Sequence, residues 1–109
     1  MVEPRRDVFQ AIADPTRREI IKLIARKPLN VNTLSENFNM SRQAISLHVK
    51  ILEQCGVLSV EPEGRERYCH LRPKKLAEVS RWLDSFRELW DTRFNQLDDV
   101  LKNMKTRKK

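Results

Sequence analysis

Two residues, Asn39-Met40, separate one short apolar pattern, Leu34 with Phe38, from the serine that caps the next. A link that short turns one helix directly into another, so this part of the chain reads as a helix-turn-helix pair. Ser41 opens the second helix of the pair as an N-cap. Ile45, Val49 and Leu52 give that helix a packing stripe. Gly56 closes it just beyond the C-cap, where a left-handed backbone favours glycine. Upstream, Val8, Phe9 and Ile12 suggest a short helix at about 5–13. Asp14-Pro15 then restarts the chain, with Asp14 as N-cap and Pro15 at the first helical position. Ile20, Ile21, Leu23 and Ile24 form the expected buried face of this second helix, which stops near Lys27-Pro28. Asn32-Thr33 is the expected start of the third.

After Gly56 the period changes. Residues 57–61 and 67–71 are short β-rich runs, and the Pro and Gly in Pro62-Glu-Gly-Arg65 make the link between them a hairpin. Pro73 starts a long amphipathic pattern carried by Val79, Trp82-Leu83, Phe86, Leu89-Trp90, Phe94, Leu97, Val100-Leu101 and Met104. Helices, a hairpin and a further long helix, in that order, are the layout of a winged helix-turn-helix. The expected fold class is mainly α (α+β), with a two-stranded β-wing and a long C-terminal dimerisation helix. The expected organisation is one winged helix-turn-helix domain over 1–104, with dimerisation helices at about 5–13 and 74–104, and a basic tail at 105–109.

A chain of 109 residues is enough for one domain of this kind and short for two. Hydrophobic residues make up 39% and charged residues 34%, which suits a modest core that leans on association. The apolar runs are too short to span a bilayer. Met-Val-Glu-Pro-Arg-Arg lacks the apolar stretch of a secretory signal. The expectation is a cytoplasmic protein with no membrane partner. The net charge of +7 is concentrated at one end, since the last five residues, Lys-Thr-Arg-Lys-Lys, hold four positive charges. Such a tail binds polyanions weakly and without sequence preference, so the overall charge alone does not argue for DNA reading. Cys55 and Cys69 form no Cys-x-x-Cys pair and are expected to be reduced, partly buried thiols.

The polar side of the helix capped by Ser41 carries more information. At 100° per residue, Gln43, Ser46, Leu47 and Lys50 fall between about 100° and 200° from Ile45, on one exposed face. Arg42 lies beside them on the first turn. The second helix of a helix-turn-helix enters the major groove with its N-terminal part. There an arginine bridges guanine O6 and N7, a glutamine bridges adenine N6 and N7, and an apolar side chain meets the thymine methyl. Ser46 is short enough to allow close approach. Arg65 and Arg67 flank the glycine turn of the hairpin, within reach of phosphates or the minor groove. Arg17, at the start of the second helix, is open to either phosphate contact or a structural ion pair. His48 sits at the edge of the packed side and reads as a structural hydrogen-bonding residue.

Three segments carry a family resemblance. They are Ala11-Ile-Ala-Asp-Pro-Thr-Arg-Arg-Glu-Ile-Ile-Lys-Leu-Ile24, residues 34–58 and residues 63–71. Together they resemble the ArsR family of bacterial winged-helix repressors over nearly the whole chain. The resemblance implies a homodimer that binds a palindromic operator in double-stranded DNA and blocks transcription. It implies that Ser41, Arg42, Gln43, Ser46 and Leu47 belong to the DNA-reading helix, and Arg65 and Arg67 to the wing. Many such proteins sense metals. One family site uses Cys-Val-Cys where this chain has Asn30-Val31-Asn32, and amides are poor ligands for soft metals. A second uses Asp, His and Glu on the last helix, and no histidine follows His70. No metal and no cofactor are therefore expected.

The stripe on the last helix has two readings, an apolar effector pocket lined by Trp82, Phe86, Trp90 and Phe94, or dimer packing. Packing is preferred, because a monomer would leave Trp90, Phe94 and Leu97 as an exposed apolar patch. The candidate interface is Phe9, Trp82, Phe86, Leu89, Trp90, Phe94, Leu97 and Leu101. Other functions compete with operator binding. A protein-interaction scaffold would favour an apolar helix face over Arg42, Gln43, Ser46 and Lys50, and a non-specific DNA-binding protein would rest on the tail. An enzyme is not expected, since two histidines and two glycines leave little material for a catalytic set or a phosphate-cradling loop.

Overall fold

The computed structural model describes residues 6–107. Helix α1 (Val8–Ile12) is capped by Asp7, whose carboxylate accepts from the Gln10 N–H at 2.9 Å. It is shorter than the expected 5–13, and residue 5 lies outside the described residues. Helix α2 (Pro15–Arg26) begins where its cap dictates, with the Asp14 carboxylate accepting from the N–H groups of Thr16 at 2.8 Å and Arg17 at 3.2 Å. Of its apolar residues Ile20 and Ile24 are buried, while Ile21 and Leu23 flank the core half-buried.

The next segment departs from expectation. Leu29–Asn30 form a two-residue strand, β1, and helix α3 (Val31–Glu36) follows at once. Its cap is Asn30, whose side-chain oxygen accepts from the Thr33 N–H at 2.7 Å, so the helix opens ahead of Asn32-Thr33. The N–H groups of Asn37 and Phe38 bond back to the carbonyls of Leu34 and Ser35 and tighten the last turn. Phe38 thus packs against the core from beyond the helix end.

Helix α4 (Arg42–Gln54) is capped by the Ser41 hydroxyl, which accepts from the Ala44 N–H at 3.1 Å. At its other end the Val57 N–H bonds to the Leu52 carbonyl and the Gly56 N–H to the Glu53 carbonyl. Gly56 holds φ +78° there, the left-handed conformation that this double closure requires.

Strands β2 (Leu58–Glu63) and β3 (Glu66–Leu71) pair antiparallel from Leu58↔Leu71 to Glu63↔Glu66. The turn is Gly64-Arg65, with Gly64 at φ +66°, as a two-residue hairpin with glycine at its first position demands. Pro62 belongs to β2 rather than to the turn and pairs with Arg67. An edge strand tolerates it. Strand β1 adds to the other side of β3 through Leu29↔Cys69 and Asn30↔Tyr68, giving a three-stranded sheet of order β1-β3-β2 where a two-stranded wing was expected.

The core joins Ala11, Ile20, Leu34, Ile45, Leu52, Val57 and Cys69, all fully buried, with contributions from each helix and strand so far named. Helix α5 (Pro73–Arg107) adds Leu76 and Val79 to its margin. The chain divides into two units after Val79, and the second unit is the remainder of α5. Of the expected tail at 105–109, residues 105–107 continue α5 and 108–109 lie outside the described residues.

Candidate nucleic-acid interface

Burying Ile45, Val49 and Leu52 forces the opposite face of α4 outward. Arg42, Gln43, Leu47 and Lys50 stand exposed there and Ser46 is half-buried. Leu47 is 60% exposed, an apolar side chain with no packing role, surrounded by polar ones. Ser41 shares this end of the helix, where its oxygen is occupied as the cap.

The hairpin brings its arginines to α4. Arg42 and Ser46 of α4 line one cleft with Arg65 and Arg67 of the hairpin, and Asn30, Val31, Asn32, Val60 and Glu66 complete its walls. The cleft encloses about 410 Å³. Among the described residues no carboxylate pairs with any of these three arginines. The one acid in the lining, Glu66, accepts hydrogen bonds from Asn30 Nδ2 at 2.8 Å and from the Tyr68 hydroxyl at 3.1 Å. The cleft is therefore cationic, with uncompensated guanidinium groups. Gln43, Leu47 and Lys50 extend the α4 face beyond it.

Arg17 is placed differently from these. Its guanidinium donates to the carbonyls of Ala11 at 3.1 Å and Gln10 at 2.9 Å, and a third nitrogen lies 3.3 Å from His48 Nδ1. In place of the ion pair considered from the sequence, Arg17 makes hydrogen bonds to carbonyls and ties the last turn of α1 to α4 through His48. Arg18 donates to the Ile12 carbonyl at 2.7 Å in the same way. Asp14 sits beside this brace. Partial burial works to raise its pKa, but the backbone bonds from Arg17 and Thr16, with the charges of His48 and Arg17, outweigh that and hold it below 3.8.

Both cysteines are free and more deeply buried than expected. Burial, reinforced by Glu53, pushes the Cys69 thiol up to about 11, and burial also raises that of Cys55. Among the described residues one group, Glu61, Glu63 and His70, brings three metal-type ligand atoms within 4.8 Å. These groups already contact one another: His70 Nε2 lies 2.9 Å from Glu63 and 3.4 Å from Glu61, and Arg72 pairs with Glu61. Asn30 caps α3, and both Asn30 and Asn32 form part of the cleft wall.

Of the cleft residues outside the expected DNA-binding set, which are Asn30, Val31, Asn32, Val60 and Glu66, Asn30 and Glu66 are the hydrogen-bonded pair. The usable signal was Asn30 three residues ahead of Thr33, a capping pattern. The pairing of β1 with β3 left no signal, because two residues carry no period.

Residues 14–60 match the model of the bacterial regulatory protein family arsR, a span that covers the helix-turn-helix and the first half of β2. The transcriptional repressor SdpR of Bacillus subtilis is 36% identical over 73% of this chain and 89% of its own. The chain belongs to the ArsR family. A second relative, the HTH-type transcriptional regulator Rv2034 of Mycobacterium tuberculosis, is 37% identical over 84% of this chain and 85% of its own. The crystal structure of the ArsR family transcriptional regulator RHA00566 superposes with a TM-score of 0.68 at 35% identity, covering 76% of this chain and 86% of that one. A homodimeric winged helix-turn-helix DNA-binding domain from Mycobacterium bovis shares the fold at 16% identity, with a TM-score of 0.59 over 80% of this chain and 91% of that one. This ArsR-family protein is thus a winged-helix, DNA-binding transcriptional regulator and not an enzyme. None of its described helices is long and apolar enough to cross a membrane.

Proposed function

We propose that this ArsR-family protein is a homodimeric repressor that binds a palindromic operator in double-stranded DNA. In this reading Arg42, Gln43, Ser46 and Leu47 meet base edges in the major groove. Ser41 and Lys50 flank them, and Arg65 and Arg67 hold the adjoining backbone or minor groove. The observation that carries it is the cleft, in which the base-reading helix and the wing present three arginines with no acidic partner among the described residues. Arg17 is left out of this set, since its donors are committed to α1 and His48.

The dimer is supported by the apolar residues of α5. Trp82, Leu89, Trp90, Phe94, Leu97 and Leu101 are each about half exposed or more in the single chain, and Phe86 and Phe9 are also exposed. Trp82, Phe86 and Trp90 form a ladder of rings with centroids 5.1 and 6.5 Å apart. A two-fold partner covers such a stripe and spaces two reading helices for successive major grooves. The homodimeric relative from Mycobacterium bovis is consistent with that arrangement.

The test is selection of a duplex from random DNA, followed by binding to the selected and a scrambled duplex over a salt series. A palindromic site preferred by about 10³ or more supports the reading. Equal binding to both duplexes, lost with salt and with deletion of 105–109, would assign DNA affinity to the tail alone.

A further inference from the structure

A helix in the major groove and a hairpin reaching the neighbouring minor groove stand on opposite sides of one sugar–phosphate strand, because that strand is what separates the grooves. In this protein the space between helix and hairpin is the cleft of about 410 Å³. Arg42 and Ser46 face it from one side, Arg65 and Arg67 from the other. The chemistry suits a phosphate: planar cationic donors and a hydroxyl.

One lining residue runs against that chemistry. Glu66 is a carboxylate beside the place where a phosphate would sit, and simple repulsion argues for its removal. Its geometry gives it another task. Asn30 Nδ2 donates to Glu66 at 2.8 Å, while Asn30 Oδ1 accepts from the Thr33 N–H at 2.7 Å. A single amide therefore ties the cap of α3, the helix that leads directly into α4, to the wing. The strand pair Asn30↔Tyr68 sets Asn30 opposite the residue two positions beyond Glu66 on β3.

We propose that the cleft seats one backbone phosphate of the DNA strand between the two grooves, and that the Asn30–Glu66 hydrogen bond sets the width of that seat. The proposal rests on the reading of α4 and the wing as DNA contacts. Glu66 is a positioning residue in it, and Arg67 binds the phosphate from the wing side of the cleft.

Two variants at Glu66 separate positioning from charge. Electrostatics alone predicts that Glu66→Gln and Glu66→Ala both tighten DNA binding. The strap predicts opposite signs. Glu66→Gln keeps an acceptor for Asn30 and binds the selected duplex at least as tightly as wild type. Glu66→Ala loses it and binds about three- to tenfold more weakly. Glu66 is exposed, so both variants are expected to keep the wild-type melting temperature.

The seat itself is read by replacing operator phosphates one at a time with uncharged methylphosphonates. One position per half-site costs wild type about tenfold or more, and costs Arg67→Ala little further. Tighter binding by both Glu66 variants overturns the strap. Methylphosphonate effects spread evenly along the backbone, or unchanged in Arg67→Ala, overturn the seat. Release of DNA by inorganic phosphate beyond sulfate at matched ionic strength, with no sensitive backbone position, would assign the cleft to a free anion and also overturn it. Each of these results leaves a Gln43-dependent specificity standing. If no duplex is selected at all, the underlying reading falls and the proposal with it.

Discussion

Arg17 shows how far a side chain's surroundings decide its role. A basic residue at the start of a helix is well placed for phosphate, yet here its donors close the carbonyls of Gln10 and Ala11 and meet His48. Arg17→Ala is expected to cost about 1 kcal/mol in chemical denaturation, because it takes the side-chain donor from the Ala11 carbonyl and cuts the tie to His48. The ratio of affinities for selected and scrambled DNA should not change. Asp14 makes a related prediction with pH. Its folded pKa lies below the ordinary 3.8, so the stability it supplies is fully present above that value and is lost as pH falls below it. Asp14→Asn keeps a capping oxygen without a titrating group, and acid unfolding followed by circular dichroism should show a shallower decline below pH 3.8. Cys69 stays protonated near neutrality, its thiol held at about 11, so alkylation of the native protein should be slow and should accelerate on unfolding.

Among the elements, α4 owes its form to both ends. Gly56 at φ +78° lets Val57 turn back onto Leu52, and an added Cβ would come 3.3 Å from the Lys75 side chain. Gly56→Ala should therefore lower stability by about 1–2 kcal/mol, read from the denaturation midpoint. These termini were legible in the sequence because capping chemistry is local: Asp14, Ser41 and Gly56 each act on neighbours a few residues away. The exposed face of α4 was legible for the same reason, since burying Ile45, Val49 and Leu52 fixes where Gln43 and Leu47 point. What was not legible depends on distant partners. The strand at Leu29–Asn30 exists only because β3 lies beside it, and Glu66 has its hydrogen-bonding role only because Asn30 is there. Pro62, whose residue type signals a turn, is held in a strand because β2 lies at the sheet edge. The cleft is therefore a tertiary product. Its arginines were visible in the sequence, and the amide and carboxylate between them were not.

For the whole molecule, the proposed repressor needs two chains and one sequence-reading surface. The apolar stripe of α5 predicts the first. Phe94 is 66% exposed in the single chain, so Phe94→Asp should leave the protomer folded while shifting the sedimenting species to half the mass. Operator binding would then weaken to the level of a half-site. The second requirement is the central claim, that the α4 face reads bases, and Gln43 tests it most directly because it is exposed and has no structural task among the described residues. The measurement is the affinity of Gln43→Ala for the selected operator and for scrambled DNA, with each base pair of the half-site varied in turn. We predict a loss of about 1–3 kcal/mol on the operator, relaxed preference at one position, and unchanged affinity for scrambled DNA. An equal loss on both duplexes, or no loss on either, would contradict base reading by this face.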